Sequence, residues 1–274
     1  MTERISQYRN DGLTFDVIDS GPLDGDVVVL LHGFPQTAQS WSQVTEILNA
    51  RGFRTLAPNQ RGYSAGARPA GRRQYTFAKL TSDIAALIDL TGGPAHVVGH
   101  DWGAAVAWAF TAQRPDLVRT LTAVSVPHPG AFLKAMVVGP QALRSYYMAI
   151  FQFPWLGEKF ARFGMPRSGM PDHAVAVSQA AVLDTAALTT ALNWYRAMPF
   201  ASPKSVGKPV TRPTTYIWSD GDIALTRKGA LLTEGYVHAP YRLEIVEGAT
   251  HWLPDTHPEV IAQAVLDRAA TATV

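Results

Sequence analysis

The alternation of short apolar runs with segments of helical spacing is the feature that most constrains how this chain can fold. Four runs rich in β-branched residues are nearly continuous, as expected for strands covered on both faces: Val27–Leu31, Ala95–Val98, Leu121–Val126 and Thr214–Trp218. Two further strand candidates and three intervening segments of helical spacing are Thr55–Ala57, Tyr241–Val246, Trp41–Ala50, Phe77–Leu90 and Ala104–Gln113. This pattern predicts an α/β fold with a mainly parallel sheet flanked by helices.

The alternation stops near residue 130 and resumes at Thr214. Between these points the chain is rich in Met, Pro, Phe, Tyr and Trp, and Ala174–Leu192 has helical spacing. We interpret residues 131–210 as a helical cap domain, inserted into a core domain formed by residues 1–130 and 211–274. Ligands of open α/β sheets bind beyond the carboxyl ends of the strands, so we expect the cap to cover that edge.

Composition excludes several kinds of partner and chemistry. The formal net charge is only +2 and no long basic block is present, so we expect no nucleic-acid partner. No run approaches about 18 apolar residues, and the first residues lack the apolar centre of a secretory signal, so we expect no membrane span and a cytoplasmic location.

Cofactor and metal chemistry is also not indicated. The chain has no cysteine, which excludes disulfides, thiol catalysis and cysteine-ligated metal. The histidines have no metal-ligand spacing and no glycine-rich phosphate loop is present, so we expect neither a metal nor a cofactor. The sequence does not reveal the oligomeric state, and a homodimer is compatible with it.

Chemically active side chains directly follow three of the predicted strands. Asp101 occupies the centre of the turn Gly-His-Asp-Trp-Gly, which is typical of a strained strand-to-helix corner that exposes a nucleophile beside a helix N-terminus. Asp222 follows the strand that begins at Thr214, and His251 follows the last one. The order nucleophile, acid, histidine predicts a catalytic triad, with Asp220 as a less favoured alternative to Asp222.

The chain resembles the α/β-hydrolase-fold epoxide hydrolases over most of its length, through the motifs HGFP, NQRGYS, GHDWGAAVAW, YYMAIFQ, NWYR, WSDGDIAL and EGATHW. This resemblance implies the α/β-hydrolase fold, with Asp101 as the nucleophile and Asp222 and His251 as its triad partners. It further implies that Tyr147 and Tyr195, in the two cap motifs, are the acids that open an epoxide ring.

The resemblance leaves one assignment open and shows one departure. Tyr146 is adjacent to Tyr147 and could instead be the first cap acid. The family's expected oxyanion donors are the backbone N–H groups of Phe34 and Trp102, which also places these two residues against the substrate. Asn59 stands where relatives usually carry aspartate, in a loop that is structural in the family, and we interpret it as tolerated variation.

An aspartate nucleophile suits an electrophile at a saturated carbon. Its carboxylate displaces a leaving oxygen or halide and forms an ester that water can cleave, whereas serine would form an ether that active-site water cannot hydrolyse. We therefore expect the enzyme to take a small-molecule epoxide and water as substrates and to release a vicinal diol.

Three other functions are compatible with parts of this pattern. A haloalkane or haloacid dehalogenase would use the same Asp101, Asp222 and His251, but haloalkane enzymes usually have asparagine where this chain has Phe34. Fluoroacid enzymes usually have arginine at the position of Trp102. A small-molecule-binding protein without turnover would have no need of the complete triad and tyrosine set, and an esterase would need a serine at position 101.

Overall fold

A computed structural model describes residues 3–202 and 206–272 of the chain. One eight-stranded sheet forms the centre of the described region, with the strands in the order β1-β2-β4-β3-β5-β6-β7-β8. The strands are β1 (Gln7–Asn10), β2 (Leu13–Ser20), β3 (Val27–Leu31), β4 (Arg54–Pro58), β5 (Ala95–His100), β6 (Val118–Val124), β7 (Thr214–Ser219) and β8 (Tyr241–Val246). Strands β3 to β8 run parallel to one another, which confirms the mainly parallel sheet.

The two N-terminal strands were not predicted from the sequence. β1 pairs antiparallel with β2, and β2 pairs antiparallel with β4, so both lie at one edge of the sheet. β2 alternates between more and less buried residues, and this weaker pattern contains fewer consecutive apolar residues than the central strands do.

Twelve α-helices occur in the described residues. They are α1 (Ser42–Ala50), α2 (Phe77–Asp89), α3 (Trp102–Gln113), α4 (Pro129–Val138), α5 (Gln141–Arg144), α6 (Tyr146–Phe151), α7 (Leu156–Gly164), α8 (Asp172–Ser178), α9 (Ala187–Ala197), α10 (Arg227–Leu232), α11 (Leu253–Thr256) and α12 (Pro258–Ala270). The predicted stretch Ala174–Leu192 is therefore not one helix, since the chain passes through a π-helical segment, Gln179–Leu183, before α9 begins.

Both faces of the sheet are buried against helices, as a continuous apolar strand requires. In β3, Val28 and Leu30 pack into a cluster with apolar residues of α1 and α12, whereas Val29 and Leu31 pack with residues of α2 and α3. Helix α3 is buried from Trp102 to Ala112, so it forms the centre of the second layer. Its N-terminus is consequently held firmly against the sheet.

Helices α4 to α9 lie between β6 and β7 in the chain, in the segment interpreted from the sequence as a cap. The boundaries of the two domains, at residues 130 and 210, stay a prediction. No single helix in residues 3–202 and 206–272 is long and apolar enough to cross a membrane. One pair, Asp172–Leu183 with Ala187–Phe200, meets that length and composition test when the two are joined across an 88° bend.

Candidate active site

Asp101 lies at a sharp corner between β5 and α3. Its backbone has φ 52° and ψ −121°, a conformation that L-residues rarely adopt and that projects the side chain away from the sheet. Gly103 permits this corner, because a Cβ there would collide with the carbonyl oxygen of Leu31. A Cβ on Gly33 would collide with the Asp101 side chain. The glycines allow two loops and the helix to meet at this carboxylate.

Backbone donors surround the carboxylate of Asp101. The Phe34 N–H donates to Oδ1 over 2.8 Å, and the Trp102 N–H donates a further hydrogen bond. Burial raises the pKa of Asp101, but the hydrogen bond and charge of His251, with the Trp102 N–H, outweigh burial and lower it below 3.8. Asp101 is therefore an ionised group at neutral pH. The two N–H groups can also hold the oxygen of an ester formed on this side chain.

His251 lies between two carboxylates. Its Nδ1 is 2.7 Å from Oδ2 of Asp222, and its Nε2 is 3.4 Å from Oδ2 of Asp101. Oδ1 of Asp222 accepts hydrogen bonds from the N–H groups of Ala224 and Leu225, at 2.7 and 2.9 Å, which orient the buried carboxylate. This geometry can hold the imidazole with Nε2 directed at the nucleophile.

The alternative acid, Asp220, lies elsewhere. Its Oδ1 accepts a hydrogen bond from the N–H of Gly248, and its side chain is exposed. The structure thus brings Asp222, and not Asp220, to the histidine.

The pKa of His251 reflects the balance between burial and its carboxylate partners. Burial favours the neutral ring, but the charge of Asp222 and the hydrogen bonds to Asp101 and Asp222 raise the pKa from 6.5 to about 10. In the resting state His251 is an imidazolium paired with Asp101. Its proton becomes easier to remove once Asp101 loses its negative charge.

Two buried polar residues position the loop that carries His251. The His100 ring donates from Nε2 to the carbonyl oxygen of His251 over 3.0 Å, and the Ser125 hydroxyl donates to the same oxygen over 2.9 Å. Burial lowers the pKa of His100 to about 4, so its ring is neutral and Nε2–H is the donor. Nothing in the sequence points to Ser125, because it is a single serine without a motif.

The two predicted cap tyrosines lie on different helices and meet above Asp101. Tyr147 is on α6 and Tyr195 on α9, and their ring centroids are 6.2 Å apart. Burial, reinforced by the charge of Asp101, raises the pKa of both phenols above 10, so both are protonated hydrogen-bond donors. Tyr146 has 60% of its surface exposed and packs against Phe160. The geometry therefore favours Tyr147 over Tyr146.

Trp102 also contacts Tyr195 through its side chain. The two rings meet edge to face with centroids 4.9 Å apart, and the indole N–H donates to the Tyr195 hydroxyl. Because the phenol oxygen accepts this bond, its own proton stays available for a ligand.

Polar residues within the two cap motifs hold α6 against α9. The Gln152 side chain donates to the carbonyl oxygen of Tyr195 over 2.8 Å, and Arg196 donates from Nε to the carbonyl oxygen of Phe151 over 3.0 Å. Arg196 also binds both carboxylate oxygens of Glu158 at 3.0 Å. Gln152 and Arg196 stand in the sequence as letters of the two cap motifs without an evident role, and the structure shows that they position the tyrosines.

A second set of contacts ties α9 to the core loop NQRGYS. The indole N–H of Trp194 donates to the carbonyl oxygen of Arg61 over 2.7 Å, and the Thr190 hydroxyl donates to that of Gly62 over 2.6 Å. Arg61 is itself buried and paired with Asp83 through two bonds of 2.7 and 2.8 Å. This buried pair fixes the loop to which the helix of Tyr195 is attached.

Two cavities meet at the nucleophile. One has a volume of about 210 Å³ and the other about 240 Å³, and both are lined by Asp101, Tyr147 and Tyr195. A ligand with its reacting atoms between these three side chains could extend into both cavities. Among the described residues, no group of three or more His, Asp or Glu side chains has the arrangement of a metal site.

Comparison with known proteins decides the family. Residues 28–264 match the model of the Alpha/beta hydrolase family. The chain belongs to this family. Among relatives of this α/β hydrolase, AB hydrolase superfamily protein YfhM of Bacillus subtilis is 35% identical over 274 residues, covering 94% of each chain. Epoxide hydrolase A of Mycobacterium tuberculosis is 30% identical, covering 97% of this chain and 96% of the relative.

Solved structures point to the same branch of the family. An epoxide hydrolase from metagenomes of hot environments superposes with a TM-score of 0.83 at 29% identity, covering 97% of each chain. This α/β hydrolase is thus an enzyme related to the epoxide hydrolases, and the family resemblance inferred from its motifs is confirmed.

Proposed function

We propose that this α/β hydrolase converts an epoxide and water into a vicinal diol through an ester on Asp101. The observation that carries the proposal is the meeting of two protonated tyrosines, the buried Tyr195 and the half-buried Tyr147, with an ionised carboxylate at the junction of two cavities. An epoxide needs a nucleophile on carbon and an acid on oxygen at the same time. The named epoxide hydrolases among the relatives add support.

In the first step, an Asp101 carboxylate oxygen bonds to one epoxide carbon while the bond from that carbon to the ring oxygen breaks. Tyr147 and Tyr195 hydrogen-bond the ring oxygen, and one of them transfers its proton to it. Ester formation removes the negative charge that held the proton on His251. The imidazolium then reprotonates the tyrosinate, so this step ends with a neutral ester, neutral His251 and two neutral phenols.

In the second step, neutral His251 takes a proton from a water molecule that attacks the ester carbonyl of Asp101. The N–H groups of Phe34 and Trp102 stabilise the negative charge on the carbonyl oxygen. The ester bond from the carboxyl carbon breaks, and the departing oxygen takes one proton of the water. The other proton stays on His251, which restores the ion pair with Asp101 and releases the diol.

Halide release is the alternative outcome for the same triad. A departing halide needs N–H donors, and the Trp102 indole N–H is already engaged by the Tyr195 hydroxyl. Phe34 contributes an aromatic ring that packs against Tyr195, where a side-chain amide would add a donor. These contacts favour the opening of an epoxide.

The test compares styrene oxide with 1-bromobutane, scoring diol and halide release separately. Diol without halide supports the proposal, halide alone favours a dehalogenase, and neither product favours a binding protein. A single turnover in heavy-oxygen water then tests the covalent route. Since the new diol oxygen comes from Asp101, the first product should be unlabelled; label in it would show direct attack by water.

A further inference from the structure

The two cavities that meet at Asp101 differ in charge. The first is lined, apart from Asp101, by apolar and aromatic side chains among the described residues, including Phe132, Leu133 and Met148. The second contains two guanidinium groups, those of Arg144 and Arg167. We name them the apolar arm and the basic arm.

Arg144 is fixed in the basic arm by neutral partners. Its Nη1 donates to the carbonyl oxygens of Asp222, over 2.6 Å, and Leu225, over 3.4 Å. Carbonyl oxygens orient a guanidinium without cancelling its full positive charge. An arginine has five N–H donors, so Arg144 retains donors for another group.

Arg167 is oriented in a similar way from the short helical turn Met165–Arg167. Its Nη1 donates to the carbonyl oxygen of Phe163 over 2.7 Å, and its guanidinium lies 4.1 Å from the centroid of the Phe163 ring. Stacking on a ring and one backbone acceptor hold this side chain in place while leaving its outer edge accessible.

Within the described residues, neither arginine forms an ion pair with a carboxylate, whereas Arg61 and Arg196 do. The titratable groups facing the basic arm are Asp101 and His251, which pair with each other, together with the tyrosines. His251 also pairs with the buried Asp222, so the imidazolium and its two carboxylates carry one net negative charge against the two guanidinium groups. The basic arm therefore keeps a net positive charge, and planar guanidinium groups bind carboxylates with two parallel hydrogen bonds.

We propose that the preferred substrate is an internal epoxide with an apolar chain on one side and a chain ending in a carboxylate on the other. The apolar chain occupies the apolar arm, and Arg144 and Arg167 bind the carboxylate in the basic arm. This inference rests on the proposed function, because it places the epoxide ring between Asp101, Tyr147 and Tyr195.

Matched substrates test the assignment. A series of cis-epoxy acids, with three to seven methylene groups between ring and carboxylate, is compared with the corresponding primary amides. Both arginines are exposed to solvent, so the electrostatic gain is modest, and we expect kcat/KM to favour the best acid over its amide by about three- to tenfold. The preference should shrink as salt rises from 20 to 500 mM.

Variants then locate the origin of the preference. Arg167→Gln should lower the acid-to-amide ratio toward one, and Arg167→Lys should retain part of it. Arg51→Gln is the matched control, because it removes the same charge from an exposed position outside both cavities. Arg144→Gln is scored by the same ratio, which cancels any effect of its contact with Asp222 on the chemical step.

Binding measurements separate this inference from the proposed function. Calorimetry with dodecanoate and dodecanamide reports selectivity without turnover, and tighter binding of dodecanoate that is lost in Arg167→Gln supports the basic arm. Turnover of acids and amides at equal kcat/KM, with equal binding of the two ligands, overturns the inference and leaves the proposed function intact. Tighter binding of dodecanoate without diol from any epoxide overturns the function instead.

Discussion

The imidazole of His251 bridges Asp222, 2.7 Å from Nδ1, and Asp101, 3.4 Å from Nε2. One ring nitrogen therefore faces the carboxylate that orients it, and the other faces the carboxylate that is alkylated in the proposed reaction. Since both carboxylates raise the pKa of the ring, its protonation depends on the chemical state of Asp101.

Asp101→Asn should lower the pKa of His251 well below its value of about 10, because the variant removes one of two negative charges while burial still favours the neutral ring. The measurement is a pH titration of the histidine ring signals by NMR. Asp220→Asn serves as the control, since Asp220 contacts Gly248 instead. An unchanged His251 pKa in Asp101→Asn would contradict the coupling.

The same ion pair should make stability depend on pH. The folded-state pKa of His251 lies above the ordinary 6.5, so the stabilisation is fully present below about pH 6.5 and is lost as pH rises toward 10. We expect the free energy of unfolding in urea to fall more steeply over this interval for the wild type than for Asp101→Asn. Parallel profiles would show that this pair contributes no pH-dependent stability.

His251→Gln should separate the two chemical steps. The first step needs Asp101 and the tyrosines, whereas the second needs a neutral imidazole to activate water. Intact-mass spectrometry after mixing with styrene oxide should therefore show a protein heavier by one substrate molecule, with little diol. Asp101→Asn is the negative control for the adduct. Steady diol production by His251→Gln would rule out its assigned role.

Tyr147→Phe and Tyr195→Phe should each lower kcat for epoxide opening by about a hundredfold, a value typical of losing one general acid, and the double variant should be almost inactive. Tyr146→Phe should stay within about twofold of the wild type, because Tyr146 is largely exposed. Stopped-flow measurement of ester formation isolates this step. A larger loss in Tyr146→Phe than in Tyr147→Phe would reverse the assignment.

Gly103→Ala should destabilise the fold by about 1–3 kcal/mol or more, because the added Cβ meets the backbone carbonyl of Leu31, which cannot move without shifting β3. Gly93→Ala is the matched control, since its Cβ would enter open space. Urea unfolding of both variants measures the difference. Equal midpoints would mean that the corner can relax at no cost.

Much of the sheet was predictable because strands covered on both faces must be apolar along their whole length. Val27–Leu31 and Tyr241–Val246 were predicted with the bounds that the structure has. The run predicted as Leu121–Val126 instead begins at Val118 and ends at Val124, because Ser125 adopts φ 67° and leaves the strand. Strands β1 and β2 were missed because polar residues interrupt both and neither contains a continuous apolar run.

Sequence by itself determined the α/β class, the family and the residue types of the candidate triad, because the apolar periodicity and the motifs around Asp101, Asp222 and His251 are local properties of the chain. The choice between neighbouring residues depended on the tertiary structure. Asp222 and Asp220 are two positions apart, and only the path of the chain after β7 directs one of them at His251.

Tertiary structure also decided which distant segments of the chain meet at the site. The tyrosines meet because Gln152, Arg196 and Trp194 bond to backbone oxygens of neighbouring segments, and such side-chain contacts leave no periodic pattern. The charge difference between the apolar arm and the basic arm likewise arises where separate helices converge. Local chemistry can be seen in a sequence, whereas distances and charge balance exist only once the chain is packed.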